Sequence, residues 1–277
     1  MIDEGFRSRA ARRAAETALL RVVHHYGRTP EFVVLGGLVP ELLCAGSGYR
    51  HAGTNDVDVQ VDLEIACGST NMARLENALR NAEFAPDGER AWRWVAGGDS
   101  RTIVKFELLA DLSDQPGNAT VMFDECKQLG AVNLRGTGFA ARDIEVHRLR
   151  GRIADARYDV EVQVSGLAGF LLAKAAAARG RQKMKDWYDI AFVVLHNDVG
   201  GPDAAAALVR KHFGHEIKGQ IRSDLRELRA NFVDVDAQGS RAYAHQMLFD
   251  HPDLDAAQLQ ADATLAVQRL CDVVLAE

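Results

Sequence analysis

Apolar residues fall every three to four positions in some stretches of the chain and every second position in others. Leu19, Leu20, Val22 and Val23 lie on or near one stripe, so residues 6–26 are expected to form a helix that Gly27 and Pro30 end. Phe32-Val33-Val34-Leu35 reads as a short buried strand halted by Gly36-Gly37, with a second helix over 38–45. Thr54 to Asp62 alternates polar residues with valine, the period-two pattern of a strand with one wet and one dry face. Met72, Leu75, Leu79 and Ala82 share a helix face, with Ser69 or Thr70 as the cap. Residues 92–95 and 102–109 read as an antiparallel pair around Gly97-Gly98-Asp99, and further strands are expected at 119–123, 144–149 and 158–164.

From Ser165 onward the pattern is helical. Helices are expected over 166–179, capped by Ser165, and over 186–196, 202–213, 218–232, 241–249 and 255–276. The fold class is therefore α+β: a mixed-sheet α/β domain over 1–164, then a helical domain over 165–277.

Composition changes this picture little. With 277 residues, 47% hydrophobic and 26% charged, the chain suits a soluble globular protein with a sizeable core. The net charge of −6 argues against a nucleic-acid partner held by bulk charge and leaves room for a local basic groove. Cys44, Cys67, Cys126 and Cys271 are scattered without metal-ligand spacing, which fits a reducing cytoplasm. No apolar run reaches the roughly 20 residues of a membrane span. Arg7, Arg9, Arg12 and Arg13 precede an alanine-rich stretch that Glu16 interrupts, so a surface helix is expected there rather than a targeting signal.

Three pieces carry candidate chemistry. Gly36-Gly37, between a strand and a helix, lets backbone N–H groups approach a phosphate, although a tight turn needs the same residues. Asp56 and Asp58 project from one face of a strand, roughly 7 Å apart at Cα. Like charges so placed call for a cation, and hard carboxylate oxygens suit Mg²⁺; a solvated edge strand is the plain alternative. Glu107, in the apolar run 103–109, shares a face with Lys105 and Leu109 and is the third acid, with Asp111 as its rival. Such a trio suits a metal-dependent transfer that releases pyrophosphate. Downstream, Lys174, Arg179, Arg181, Lys183 and Lys185 form a basic cluster suited to phosphate oxygens, and Asp186 and Asp189 lie three apart on one helix face. The plain alternative there is a solvated basic loop. His24-His25 and the other histidines show no ligand spacing. Trp187 is either a core residue or a platform for a base.

The order Gly-Gly, Asp-x-Asp, third acid resembles the nucleotidyltransferase superfamily. Leu171 to Arg179, followed by Lys183-Met184-Lys185-Asp186-Trp187-Tyr188-Asp189, is similar to the AbiEii-type toxin nucleotidyltransferases, which include the MenT toxins; the resemblance covers about 31–195. It implies transfer of a nucleoside monophosphate from an NTP to an acceptor hydroxyl. Asp56, Asp58 and Glu107 would be the metal ligands, and Gly36, Gly37, Lys174 and Asp186 would serve the nucleotide. Asp186 or Asp189 would orient the lysine or act near the acceptor. A tRNA 3′ end is the implied acceptor and an antitoxin protein the implied partner. A small molecule of aminoglycoside type, a protein side chain, or a non-catalytic scaffold role remain as alternatives. Three departures stand out: Gly37 replaces the usual serine, Ala52 replaces the usual arginine with Arg50 as its candidate substitute, and Lys185 replaces arginine.

Overall fold

The computed structural model describes residues 9–61, 70–88, 90–97, 102–153 and 155–276. Phe6, Arg7, Asp62, Cys67, Ser69 and the Gly98-Asp99 turn of the sequence reading lie outside them, as does the Thr70 side chain. The chain divides into two compact units. One runs through Val39 and resumes from Ala52 to Ser165; the other comprises Pro40 to His51 and everything from Gly166 onward.

The first unit is a mixed sheet with helices. Its strands are β1 (Val33–Leu35), β2 (Asp56–Gln60), β3 (Ala85–Asp87), β4 (Arg90–Gly97), β5 (Ile103–Ala110), β6 (Thr120–Met122), β7 (Gly130–Asn133), β8 (Ile144–Ile153) and β9 (Ala156–Ser165). The main order is β3-β4-β5-β2-β1-β9-β8, with β7 beside β5 and β6 beside β7. β2 runs parallel to β5 and antiparallel to β1, so it lies in the sheet's interior. Alternation then sorts its side chains. Val57 and Val59 enter the dry face with Val34, Trp94, Phe106 and Leu108, all essentially buried.

Helix α1 (Arg9–Tyr26) covers that dry face: Leu20 lies where a side chain at Gly151 of β8 would reach, and His24 meets Tyr158 of β9 edge-on. Ala15, Leu19, Val22 and Val23 are buried, so α1 is a core helix where a surface helix was expected. It also packs on α3 (Thr70–Asn81). The Gly36–Leu38 segment is a 3-10 turn that leads into α2 (Val39–Leu43).

The helical unit contains α4 (Leu167–Arg181), α5 (Met184–His196), α6 (Gly201–Phe213), α7 (Gly219–Ala230), α8 (Gln238–Asp250) and α9 (Ala256–Leu275). α4 is apolar around most of its circumference and packs against α5, α6 and α7. Its N-cap is Gly166, not Ser165, which ends β9. Asp255 does cap α9, accepting from the Gln258 N–H at 2.8 Å. Pro40–His51 is stitched to this unit. Asp198 donates its N–H to the Leu43 carbonyl at 2.9 Å and accepts the Gly46 N–H at 2.9 Å. Among the described residues, no helix is long and apolar enough to cross a membrane.

Candidate active site

The wet face of β2 carries Asp56 and Asp58. Leu35, Asp58, Glu107 and Arg93 form one row across β1, β2, β5 and β4; Asp56, Lys105 and Val95 form the next. The three acids thus share one face, and Glu107 stands in register with Asp58.

Gly36 lies directly over Asp58. Its φ is +73°, and a Cβ built there would sit 2.0 Å from Asp58 Oδ2. Only glycine combines that backbone with that closeness. At Gly37 a Cβ would sit 2.7 Å from the Thr54 Cβ, and the Thr54 hydroxyl accepts the Asp56 N–H at 3.1 Å. A side chain at 37 would strike Thr54.

The acids differ in their surroundings. Asp56 Oδ1 is buried without a hydrogen bond, and Lys105 Nζ stands 3.6 Å from it. Glu107 Oε1 accepts from Arg93 Nε at 2.6 Å. Asp111, the rival third acid, accepts the N–H groups of Gly136 and Gly138 at 2.8 and 3.1 Å and so anchors the turn after β7. Among the described residues, no three carboxylate, imidazole or thiol side chains gather within reach of one metal ion. An Asp56 oxygen without a hydrogen bond, beside a second hard carboxylate, is nevertheless the kind of donor set Mg²⁺ takes, since it commonly uses one or two protein carboxylates and completes its shell with water and phosphate.

In the helical unit, α4 and α5 bring Lys174, Asp186 and Asp189 together. Lys174 Nζ donates to Asp189 Oδ2 at 2.7 Å and to Asp186 Oδ1 at 3.0 Å. Arg181 makes a two-pronged contact with Asp186, at 2.9 and 3.0 Å. His51 Nε2 meets Asp189 Oδ1 at 2.9 Å, and its ring stacks on Tyr188. Both aspartates are fully buried and Lys174 nearly so. Burial alone would lower the Lys174 pKa, but Asp189 and Asp186 outweigh it and hold the ammonium charged. Burial would likewise raise Asp186, yet Lys174 and Arg181 keep it below the usual carboxylate range.

The basic cluster of the sequence reading is therefore divided. Lys174 and Arg181 are clasped by aspartates, Arg179 pairs with Asp224 at 2.9 Å, Lys183 is exposed and Lys185 is half-buried. Trp187 is a core residue, buried against Phe232. Arg50 is exposed and pairs with Glu41 at 3.2 Å; its neighbour His51 enters the network instead. Sequence reasoning missed His51 and Arg93. Arg93 was legible in principle, as an arginine opposite Glu107 once the hairpin register is set. His51 left no local signal, because its partner is 138 positions away.

Residues 132–266 match the family model described as nucleotidyl transferase AbiEii toxin, type IV toxin–antitoxin system. This segment is similar to the AbiEii toxins. The AbiEii match takes in β8, β9 and α4 to α8 with Lys174, Asp186 and Asp189, and ends within α9. It begins downstream of Gly36, Asp56, Asp58 and Glu107, so its span differs from the 31–195 read from motifs. The C-terminal helices up to residue 266 thus fall within the match. Comparisons with curated proteins and with solved structures gave no match.

Proposed function

We propose that the protein is a Mg²⁺-dependent nucleotidyltransferase that transfers a nucleoside monophosphate from an NTP to the 3′ end of a tRNA, as the toxin of a toxin–antitoxin pair with an antitoxin protein as its partner. The observation that carries this reading is the row of acids on the wet face of β2 and β5, with Gly36 closed over Asp58. The AbiEii similarity of 132–266 supports the toxin assignment.

In this reading Asp56 and Asp58 hold Mg²⁺, with Glu107 completing the set. Bound Mg²⁺ supplies charge neutralisation for the triphosphate and its pyrophosphate leaving group. The backbone at Gly36 and Gly37 lies against the nucleotide phosphates. Within the helical unit, Asp186 and Asp189 fix the charged Lys174 ammonium. Glu107 takes the proton of the acceptor hydroxyl as its oxygen bonds to the α-phosphorus and the bond to pyrophosphate breaks.

Incubation with each α-³²P-labelled NTP and total tRNA tests this. Wild type is expected to label tRNA and Asp58→Ala is expected to lose at least a hundredfold in rate, the order of a lost electrostatic catalytic contact. Absence of label in tRNA with wild type would remove the tRNA acceptor. Label transferred equally by Asp58→Ala would remove the acid site.

A further inference from the structure

Glu107 stands between two opposing demands. On one side it is in register with Asp58, at roughly 4.8 Å between Cα atoms by strand spacing. On the other it faces Arg93, whose Nε approaches Oε1 to 2.6 Å. The side chains are only 19% and 16% exposed, so water screens this pair poorly. Arg93 balances Glu107 beside Asp58, as Lys105 pairs with Asp56 in the next row.

Arg93 also has other holds. Its Nη1 lies 3.5 Å from Asp87 Oδ2, and its guanidinium carbon lies 4.7 Å from the Trp92 ring centroid. Losing Glu107 would leave it with a carboxylate and an aromatic face.

We propose that Arg93 is a positioning residue that holds Glu107 off the divalent-ion site and yields it when an ion occupies Asp56 and Asp58. The inference rests on the Mg²⁺ reading above. It makes Glu107 an exchangeable third ligand whose access to the ion competes with an internal ion pair. Arg93 then lowers the apparent affinity of the free site by the strength of that pair.

The test uses Mn²⁺ as the probe, with free Mn²⁺ followed by electron paramagnetic resonance during titration of the full chain. Arg93→Gln is expected to bind Mn²⁺ about three- to fivefold more tightly than wild type, the range a partly shielded ion pair supports. Arg93→Met, which keeps an apolar contact for Trp92, provides the same measurement should the glutamine variant fold poorly. Glu107→Gln is expected to bind more weakly, and the gain from Arg93→Gln is expected to vanish in the Glu107→Gln background. Unchanged or weaker binding by both Arg93 variants would overturn the proposal. So would a gain that persists without Glu107, because that is a general charge effect. If wild type takes up no more Mn²⁺ than Asp58→Ala, the Mg²⁺ reading fails and this inference fails with it. Normal wild-type uptake with unaffected Arg93 variants sinks the inference alone.

Discussion

Gly36 and Lys174 show how much one side chain, or its absence, can decide. Gly36→Ala adds a methyl group at 2.0 Å from an Asp58 oxygen and forces a positive φ on alanine. We expect a stability loss of about 1–3 kcal/mol together with loss of transfer activity. Gly27 offers the internal control. Its φ is +83°, with nothing within 4 Å of a built Cβ. Gly27→Ala should therefore lose about 1 kcal/mol in urea melts and keep its activity. Equal activity in the two variants would argue against the close approach to Asp58. Lys174→Met leaves two fully buried aspartates short of a cation and is expected to lower the unfolding free energy by about 3–5 kcal/mol. Adding Asp189→Asn should recover part of that loss; an additive loss in the double variant would mean the two residues do not interact.

Elements were more legible than their edges and ends. The alternation of 54–62 identified β2 and the face its acids occupy, because a side chain's face follows directly from a two-residue period. The apolar stretch at 103–109 likewise marked β5, and its pairing with β4 followed from the intervening turn residues. Three-residue β3 and four-residue β7 went unread, since so few positions cannot establish a period. The acid row was visible; the ion pairs that tie up Glu107 and Lys174 depend on register and on helix pairing, which the sequence does not express locally. At the C-terminal end of α5, burial pushes His196 down to about 4, against a weaker upward pull from Asp262. Its Nε2 lies 2.8 Å from the Tyr243 hydroxyl of α8. The folded ring stays neutral at pH values where an unfolded histidine takes a proton. Its contribution to stability is therefore complete above about 6.5 and falls as pH drops from there toward about 4. Across that window wild type should lose on the order of 2–3 kcal/mol from this residue, read as urea midpoints against pH. His196→Gln, which keeps an acceptor for Tyr243, should flatten that slope, and an unaltered slope would exclude His196 as its source.

At the scale of the molecule, the order of residues and the grouping of structure do not coincide. The sequence pattern suggests a break at Ser165, and the sheet does end there. Yet the twelve residues Pro40–His51 belong with the helices, bound to Asp198 and Asp189. The polypeptide consequently passes from one unit to the other three times, after Val39, His51 and Ser165. A fragment cut at Ser165 would carry an orphaned loop whose anchors have been discarded, while the complementary fragment would lack the imidazole that Asp189 holds. Neither half can be excised by a single scission as an intact module, so co-expressed fragments severed at that point should be recovered as a non-covalent pair or not at all.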